Sequence, residues 1–400
     1  LKAKNDFVSD TIYVIDFFSG AGGFSTGVTR AGHKVILCFE YWDVGMAIHA
    51  ANFPDCTNVM MELGGDPVPF VRDLKTFIER NVPAEAQWHV HFSPPCQSFS
   101  IAQRQNKNHD VEKDARSNLT LWVFEVIKLL NPPRFSVEQV PGVTKFLQEH
   151  TPWIFKDDSI RVYPKCYGYE FGAPTMRKRL YLGRGWSFDQ FTSLYGAKKR
   201  KHSPNENSLG LRQVRPDLCN SILHELNSEG TRYDGQPYDD SDVAVKTSAN
   251  KWVTNKKERE AGLGTNKWVP CHIGQGLRCI DGKPQFATIA SYALQLYKRI
   301  RNDAADLHPS RTHLNGTWEK FRTMKPSELA AIQSFPASFK IDESELPSLY
   351  ILRYHKSLQG LLQGSEAIEK RVKISMAGRV RGIGNAVVPE IAAHIFDKLS

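Results

Sequence analysis

A cysteine follows two prolines in Ser93-Pro94-Pro95-Cys96-Gln97-Ser98-Phe99-Ser100. The run His89-Val90-His91-Phe92 just before this segment reads as a strand. Prolines fix the backbone and hold the next side chain in one place. A thiol presented at a strand end near a helix start can act as a nucleophile. A lone cysteine is more commonly a buried structural thiol, and Cys38, Cys56, Cys166 and Cys219 read that way. Cys271, His272 and Cys279 lack both a fourth ligand and a familiar zinc spacing, so no metal is expected.

A second constellation lies nearer the N-terminus. The apolar run Tyr13-Val14-Ile15-Asp16-Phe17-Phe18 is broken by Ser19-Gly20-Ala21-Gly22-Gly23, and a helix-like stretch follows from Phe24 to Ala31. Glycines let a backbone approach a ligand, and a helix N-terminus favours negative charge. Glu40 ends the next strand, about 20 residues on, where an acid binds ribose hydroxyls in a doubly wound sheet. Trp42 is placed to stack on an adenine. The dinucleotide fingerprint needs a glycine three residues after the second one. Gly22 is instead followed by Gly23, Phe24 and Ser25, which favours another adenosine cofactor such as S-adenosylmethionine. An ordinary tight turn with a surface acid would look the same.

Strand-like and helix-like stretches alternate around these residues. Strands are expected at Val35–Glu40, His89–Phe92 and Arg134–Val140, and helices at Val44–Asn52, Phe70–Arg80 and Leu119–Leu130. That alternation predicts an α/β fold with a mostly parallel sheet, whose strand ends gather the ligand site. After Gly185, Gly, Ser, Asn, Lys and Asp become frequent and periodic runs become rare. The expected division is 11–185, a smaller loop-rich domain at 186–316, and a return at 317–400. Helical pattern is expected at Lys325–Ser334, as an inserted helical pair across Leu346–Arg371, and again before Leu399.

The chain of 400 residues, 41% hydrophobic and 24% charged, is long enough for a real core. No apolar run reaches the roughly 18 residues that a membrane helix needs. The seven cysteines, with no secretory signal, read as reduced thiols. A net charge of +9 fits a polyanionic partner but serves solubility equally well. The start at Leu1 predicts a piece cut from a longer protein, with further domains or chromatin partners. Nuclear localisation is expected for a eukaryotic source, and cytoplasmic otherwise.

Taken in order, these segments resemble the cytosine-5 DNA methyltransferases. Asp16-Phe17-Phe18-Ser19-Gly20-Ala21-Gly22-Gly23-Phe24 resembles the family's cofactor loop, and Glu40-Tyr41-Trp42-Asp43 its ribose and adenine site. Pro94-Pro95-Cys96-Gln97-Ser98-Phe99-Ser100 resembles the nucleophile motif. Val137-Glu138-Gln139-Val140 stands where the family has Glu-Asn-Val, and Thr175-Met176-Arg177-Lys178-Arg179 where it has Gln-x-Arg-x-Arg. Lys325-Pro326-Ser327-Glu328 through Pro336 resembles the late helix that supports the recognition domain. Gly384-Asn385-Ala386-Val387-Val388-Pro389 resembles the closing motif that packs back on the cofactor.

The resemblance implies a Rossmann-like S-adenosylmethionine-dependent methyltransferase domain with a smaller target-recognition domain. It implies double-stranded DNA as partner and cytosine C5 as the methyl acceptor. Cys96 is then the nucleophile at C6, Glu138 the acid at N3, Arg179 the polariser of O2, and Arg177 its companion. Burial of Glu138 beside an aromatic ring and away from cations would raise its pKa. Phe18, Gly20, Gly22, Gly23, Glu40, Trp42, Asn385 and Val387 are the implied cofactor contacts. The target base must be flipped out of the duplex. The polar stretch Ser100–Asn118, with Arg104, Lys107, Lys113 and Arg116, matches the family's closing lid, and otherwise reads as a solvated loop.

Gln139 and Thr175 depart from the family's Asn and Gln, and Asp55 is the nearest candidate for a third cofactor acid. Lys198–Lys201 reads as a loop, and Gly274-Gln275-Gly276 with Arg278 as either a turn or a groove reader. Two alternatives stand beside the leading one. The first is a tRNA methyltransferase of the same family, whose Cys-Phe-Thr signature is not found. The second is a catalytically silent DNA-binding regulatory module.

Overall fold

A computed structural model describes residues 11–99, 115–175, 177–188, 211–232, 234–239, 242–246, 271–272, 278–280, 283–285, 295–301 and 317–397. These residues divide into two compact units. One lies within Leu1–Tyr167, Lys178–Gly196 and Phe339–Ser400, and the other within Gly168–Arg177 and Ala197–Ser338.

The first unit opens as strand β1 (Tyr13–Phe17), helix α1 (Gly23–Arg30), β2 (Lys34–Glu40), α2 (Asp43–Asn52), β3 (Thr57–Met60), α3 (Pro67–Asn81) and β4 (Trp88–Phe92). It continues with α4 (Ala115–Leu130), β5 (Phe135–Gln139), α5 (Thr144–His150), β6 (Ile160–Tyr167) and β7 (Lys178–Arg184). The middle strands are buried on both faces, as parallel strands under helices must be, and are mostly apolar apart from the buried Asp16, His89 and His91. Local chemistry sets the helix ends. Asp66 caps α3 by accepting from the Val68 N–H at 3.0 Å, and Pro67 occupies its first turn.

Seven strands form one sheet in the order β3-β2-β1-β4-β5-β7-β6. β1 to β5 run parallel, and β7 runs antiparallel to both its neighbours. This is the expected α/β architecture with its mostly parallel sheet. The ring of Phe17 stacks on Phe39 at 4.6 Å and on Phe92 at 4.5 Å, with Phe70 of α3 edge-on. Offset and edge-on rings attract beyond the area they bury.

The C-terminal part corrects one expectation. Leu346–Arg371 is not a helical pair. It is a hairpin of β14 (Leu349–Tyr354) and β15 (Ile368–Lys373) around one short helix, α9 (Leu358–Leu362). Leu349, Ile351 and Arg353 face out while Leu352 and Tyr354 are buried, so the period is two. His355, just past β14, bonds Asn58 and Met60 at 2.9 Å each and covers the exposed edge of β3. Helices α10 (Met376–Asn385) and α11 (Pro389–His394) close the unit. The last helix packs on α1. A Cβ on Gly27 would lie 2.5 Å from both Ala392 Cβ and the Pro389 carbonyl, so only glycine permits this approach.

The second unit holds α6 (Leu211–Val214), α7 (Pro216–Ser228) and α8 (Pro326–Ile332). Its four-stranded antiparallel sheet runs β13-β12-β8-β9, from β8 (Val243–Lys246), β9 (Cys271–His272), β12 (Gln295–Arg301) and β13 (Thr317–Thr323). β10 (Arg278–Ile280) and β11 (Lys283–Gln285) pair as a hairpin. Arg322 of β13 donates to Glu225 of α7 at 2.7 Å and to Glu328 of α8 at 2.7 Å, tying two helices to one strand. Residues 100–114 with Arg104, Lys107 and Lys113, the run Lys198–Lys201, and Gly274-Gln275-Gly276 lie outside the described residues. So do the side chains of Arg116, Cys271, His272, Arg278 and Cys279.

Candidate active site

Strand register brings the predicted residues to one edge of the sheet. Phe17 is paired with Phe39 and with Phe92, and Phe92 with Val137. These four residues form one row across β2, β1, β4 and β5. The next residue on each strand path is Glu40, Phe18, Ser93 and Glu138. All four signature segments therefore leave the carboxyl ends of adjacent strands, over a floor of stacked phenylalanines. Open parallel sheets bind ligands at that edge.

The glycine loop is shaped by this arrangement. Phe18, Gly20 and Gly22 have φ of 59°, 52° and 91°, the last two being positions that favour glycine. Glu40 Oε2 accepts from the Gly20 N–H at 2.8 Å, and its Oε1 accepts from the Tyr41 and Trp42 N–H groups at 2.8 Å each. Burial pushes the Glu40 pKa up, while the three backbone donors pull against that shift. A Cβ on Gly20 would meet only the Phe18 carbonyl at 4.0 Å, so space lies open above the loop. A Cβ on Gly23 would lie 2.2 Å from the Val387 carbonyl oxygen. The closing segment thus sits directly on the glycine loop, with Val387 buried and Asn385 exposed. Arg381 of α10 stands 4.7 Å from the ring centre of Trp42, a cation–π contact on the indole face. These residues fit an adenosine cofactor.

Asp16 at the base of the loop is fully buried, and burial raises its pKa to about 7. Ser25 Oγ donates to Asp16 Oδ2 at 2.7 Å and lies 3.0 Å from His49 Nε2. Asp55, the candidate third acid, is exposed on the turn that precedes β3. It stands at the amino end of its strand, the wrong end of the sheet for the cofactor.

Cys96 follows β4 and is partly exposed. Its carbonyl accepts from the Phe99 N–H at 3.1 Å, which starts the turn Gln97–Phe99. Gln139 reaches across from β5. Its Nε2 donates to the Pro94 carbonyl at 3.0 Å, and its Oε1 accepts from the Val140 N–H at 2.8 Å. The amide therefore braces the proline segment, so the extra methylene relative to Asn is accommodated.

Glu138, also on β5, is buried at 6% exposure. The expectation that it stands away from cations is not met. Arg179 of β7 places Nε 2.8 Å from Glu138 Oε1, in an ion pair without hydrogen-bond angles. β7 runs antiparallel beside β5, so both side chains reach the same sheet edge. Arg177 is buried in the segment Gly168–Arg177. Its N–H donates to Thr175 Oγ1 at 3.3 Å and its carbonyl accepts from the Gly168 N–H at 3.0 Å. Thr175, the departure from the family's Gln, closes this loop on itself.

The description "C-5 cytosine-specific DNA methylase" matches residues 12–352 of the chain. The chain belongs to that family. Type II methyltransferase M.HpaII of Haemophilus parainfluenzae is 27% identical over 356 residues, covering 86% of this chain and 85% of the relative. M.XorII of Xanthomonas oryzae is 28% identical over 179 residues, and M1.HphI of Haemophilus parahaemolyticus 31% over 180. Those two matches each cover 42% of this chain, and 39% and 45% of the relatives' own lengths. Among solved structures, S. pombe Dnmt2 methyltransferase aligns over 96% of each chain at 15% identity and a TM-score of 0.49, a likeness too weak to build on.

Several features of this family member carry no motif. The Trp42–Arg381 contact joins residues far apart in sequence, and neither type predicts the other. The Ser25–Asp16 bond lies within the glycine segment, but nothing in its spacing marks Ser25 as a polar partner. No described helix is long and apolar enough to cross a membrane.

Proposed function

We propose that this chain transfers a methyl group from S-adenosylmethionine to C5 of a cytosine in double-stranded DNA. The observation that carries the reading is the shared sheet edge. There the glycine loop with Glu40, the Cys96 turn and the Glu138–Arg179 pair leave adjacent strands.

The residues divide the work by position. Glu40 keeps one acceptor site, on Oε2, for a ribose hydroxyl, while Trp42 offers an aromatic surface for adenine. Phe18, Gly20, Gly22, Gly23, Asn385 and Val387 complete the wall. When bound, the cofactor supplies an electrophilic methyl on a positive sulfur. Cytosine C5 is a weak nucleophile, so the Cys96 thiolate adds to C6 and its electron pair enters the ring. Glu138 gives a proton to N3 as that charge develops, and Arg179 hydrogen-bonds O2. C5 then takes the methyl, solvent takes the proton that C5 loses, N3 returns its proton to Glu138, and the C6–S bond breaks to return the Cys96 thiolate. Arg177 holds the loop beside Arg179. The base must leave the helix to reach Cys96. The second unit supplies target recognition.

The test is transfer of labelled methyl from S-adenosylmethionine to duplex DNA, with 5-methylcytosine as the identified product. Cys96→Ala abolishes it. Methylation of tRNA but not DNA would move the substrate to RNA. Cofactor binding without any product, on unmethylated or hemimethylated DNA, would leave a silent binding module.

A further inference from the structure

A second cluster of reactive side chains lies behind the cofactor loop. Cys38 comes from β2, His49 from α2 and Cys56 from the turn before β3. One ligand atom from each lies within 4.8 Å of the other two, and all three residues are buried. Cys38 Sγ is 3.5 Å from His49 Nδ1 and 3.2 Å from Asn58 Oδ1. Zinc–sulfur and zinc–nitrogen bonds of about 2.3 and 2.0–2.1 Å, at a tetrahedral angle, separate S from N by about 3.5 Å.

The orientation of His49 points the same way independently. The single hydroxyl hydrogen of Ser25 goes to Asp16. With Asp16 ionised, His49 Nε2, 3.0 Å from that hydroxyl, carries the ring proton. Nδ1 is left as a bare lone pair, directed at Cys38. Metal-ligating histidines are held in this manner, with the remote N–H tied to an oxygen or a carboxylate relay.

We propose that Cys38, His49 and Cys56 bind a divalent cation of the zinc class, with Asn58 Oδ1 as the fourth ligand. Two thiolates and a divalent cation sum to zero, so the loaded site adds no net charge to the core. A closed four-ligand set makes the site structural. It ties β2, α2 and the start of β3 together. Cys38 and Glu40 lie two apart on β2 and face the same side, and α2 begins directly after Trp42. The metal thus fixes the two elements that carry Glu40 and Trp42. The proposal does not depend on the methyltransferase reading.

The test uses the full chain, equilibrated with zinc, desalted and analysed for metal. About one equivalent is expected per chain, retained by a Cys271→Ser/Cys279→Ser variant and lost from Cys56→Ser. Cobalt-loaded protein should show thiolate-to-metal charge-transfer absorption in the near ultraviolet and tetrahedral bands in the visible. Ser25→Ala keeps all three ligands and should weaken metal affinity about 10- to 100-fold. If Cys56→Ser does not fold, the cobalt spectrum and Ser25→Ala decide. No retained metal and no cobalt–thiolate band, or equal retention by a folded Cys56→Ser, would reduce the cluster to hydrogen-bonded thiols and overturn the proposal.

Discussion

Gln139 is the side chain on which the placement of Cys96 turns. Its amide links the end of β5 to the Pro94 carbonyl across the sheet edge. Gln139→Ala removes that brace and leaves a buried carbonyl without its donor, a loss of about 1–3 kcal/mol. The expected outcome is a lower melting temperature and a fall in kcat, with cofactor affinity retained. Glu138→Gln keeps shape but cannot deliver a proton. It should lower kcat by about 10²–10⁴-fold, measured with saturating cofactor and DNA. The Glu and the Gln were visible in the sequence as a variant of a known tripeptide. The Gln–proline contact was not, because a hydrogen bond between residues 139 and 94 has no local sequence pattern.

The glycine loop and the closing segment form one element-scale unit, since Gly23 meets the Val387 carbonyl with no room for a Cβ. Gly23→Ala forces α1 and the closing segment apart. Overpacking of that kind costs about 1–3 kcal/mol. Thermal denaturation should show the loss, and calorimetry should show weaker S-adenosylmethionine binding. The helices and strands at the start of the first unit are legible in the sequence because their periodicity and glycine breaks agree. β3 was missed because Thr57-Asn58-Val59-Met60 is four residues with no apolar run. The β14–β15 hairpin was read as helical because its leucines fit either period, and only pairing with a partner strand decides. Cys38 and Cys56 read from the sequence as separate structural thiols, and His49 carries no signal there, since strand, helix and turn residues at those spacings share no motif.

At the scale of the molecule, the two units are held by different chemistry. Stacked rings and parallel strands build the first, whereas Arg322 and two carboxylates join a strand to two helices in the second. Glu328 is nearly fully buried, so Arg322→Ala strands a charge and should destabilise the second unit by about 3–5 kcal/mol. Burial raises the pKa of Glu225, but Arg322 and Lys325 outweigh it and the net shift is downward. A lowered folded pKa gives stability that is present above the unfolded value of 4.5 and is lost as pH falls through the folded value. The second unit should therefore unfold at lower urea concentration as pH falls below about 4.5. The ordered motifs make the first unit readable from sequence, while the second unit, poor in periodic runs, offers little beyond its loop-rich composition.

The covalent bond between Cys96 and the target base is the central claim, and trapping tests it most directly. Duplex DNA with 5-fluorocytosine at the target position is mixed with S-adenosylmethionine and the full chain, then run on a denaturing gel. Fluorine cannot leave C5 as a proton does, so wild-type protein should remain bonded to DNA through Cys96, located by peptide mapping. Cys96→Ala should give no such band. Methyl transfer by the wild type without any adduct, or an adduct that survives Cys96→Ala, would contradict it.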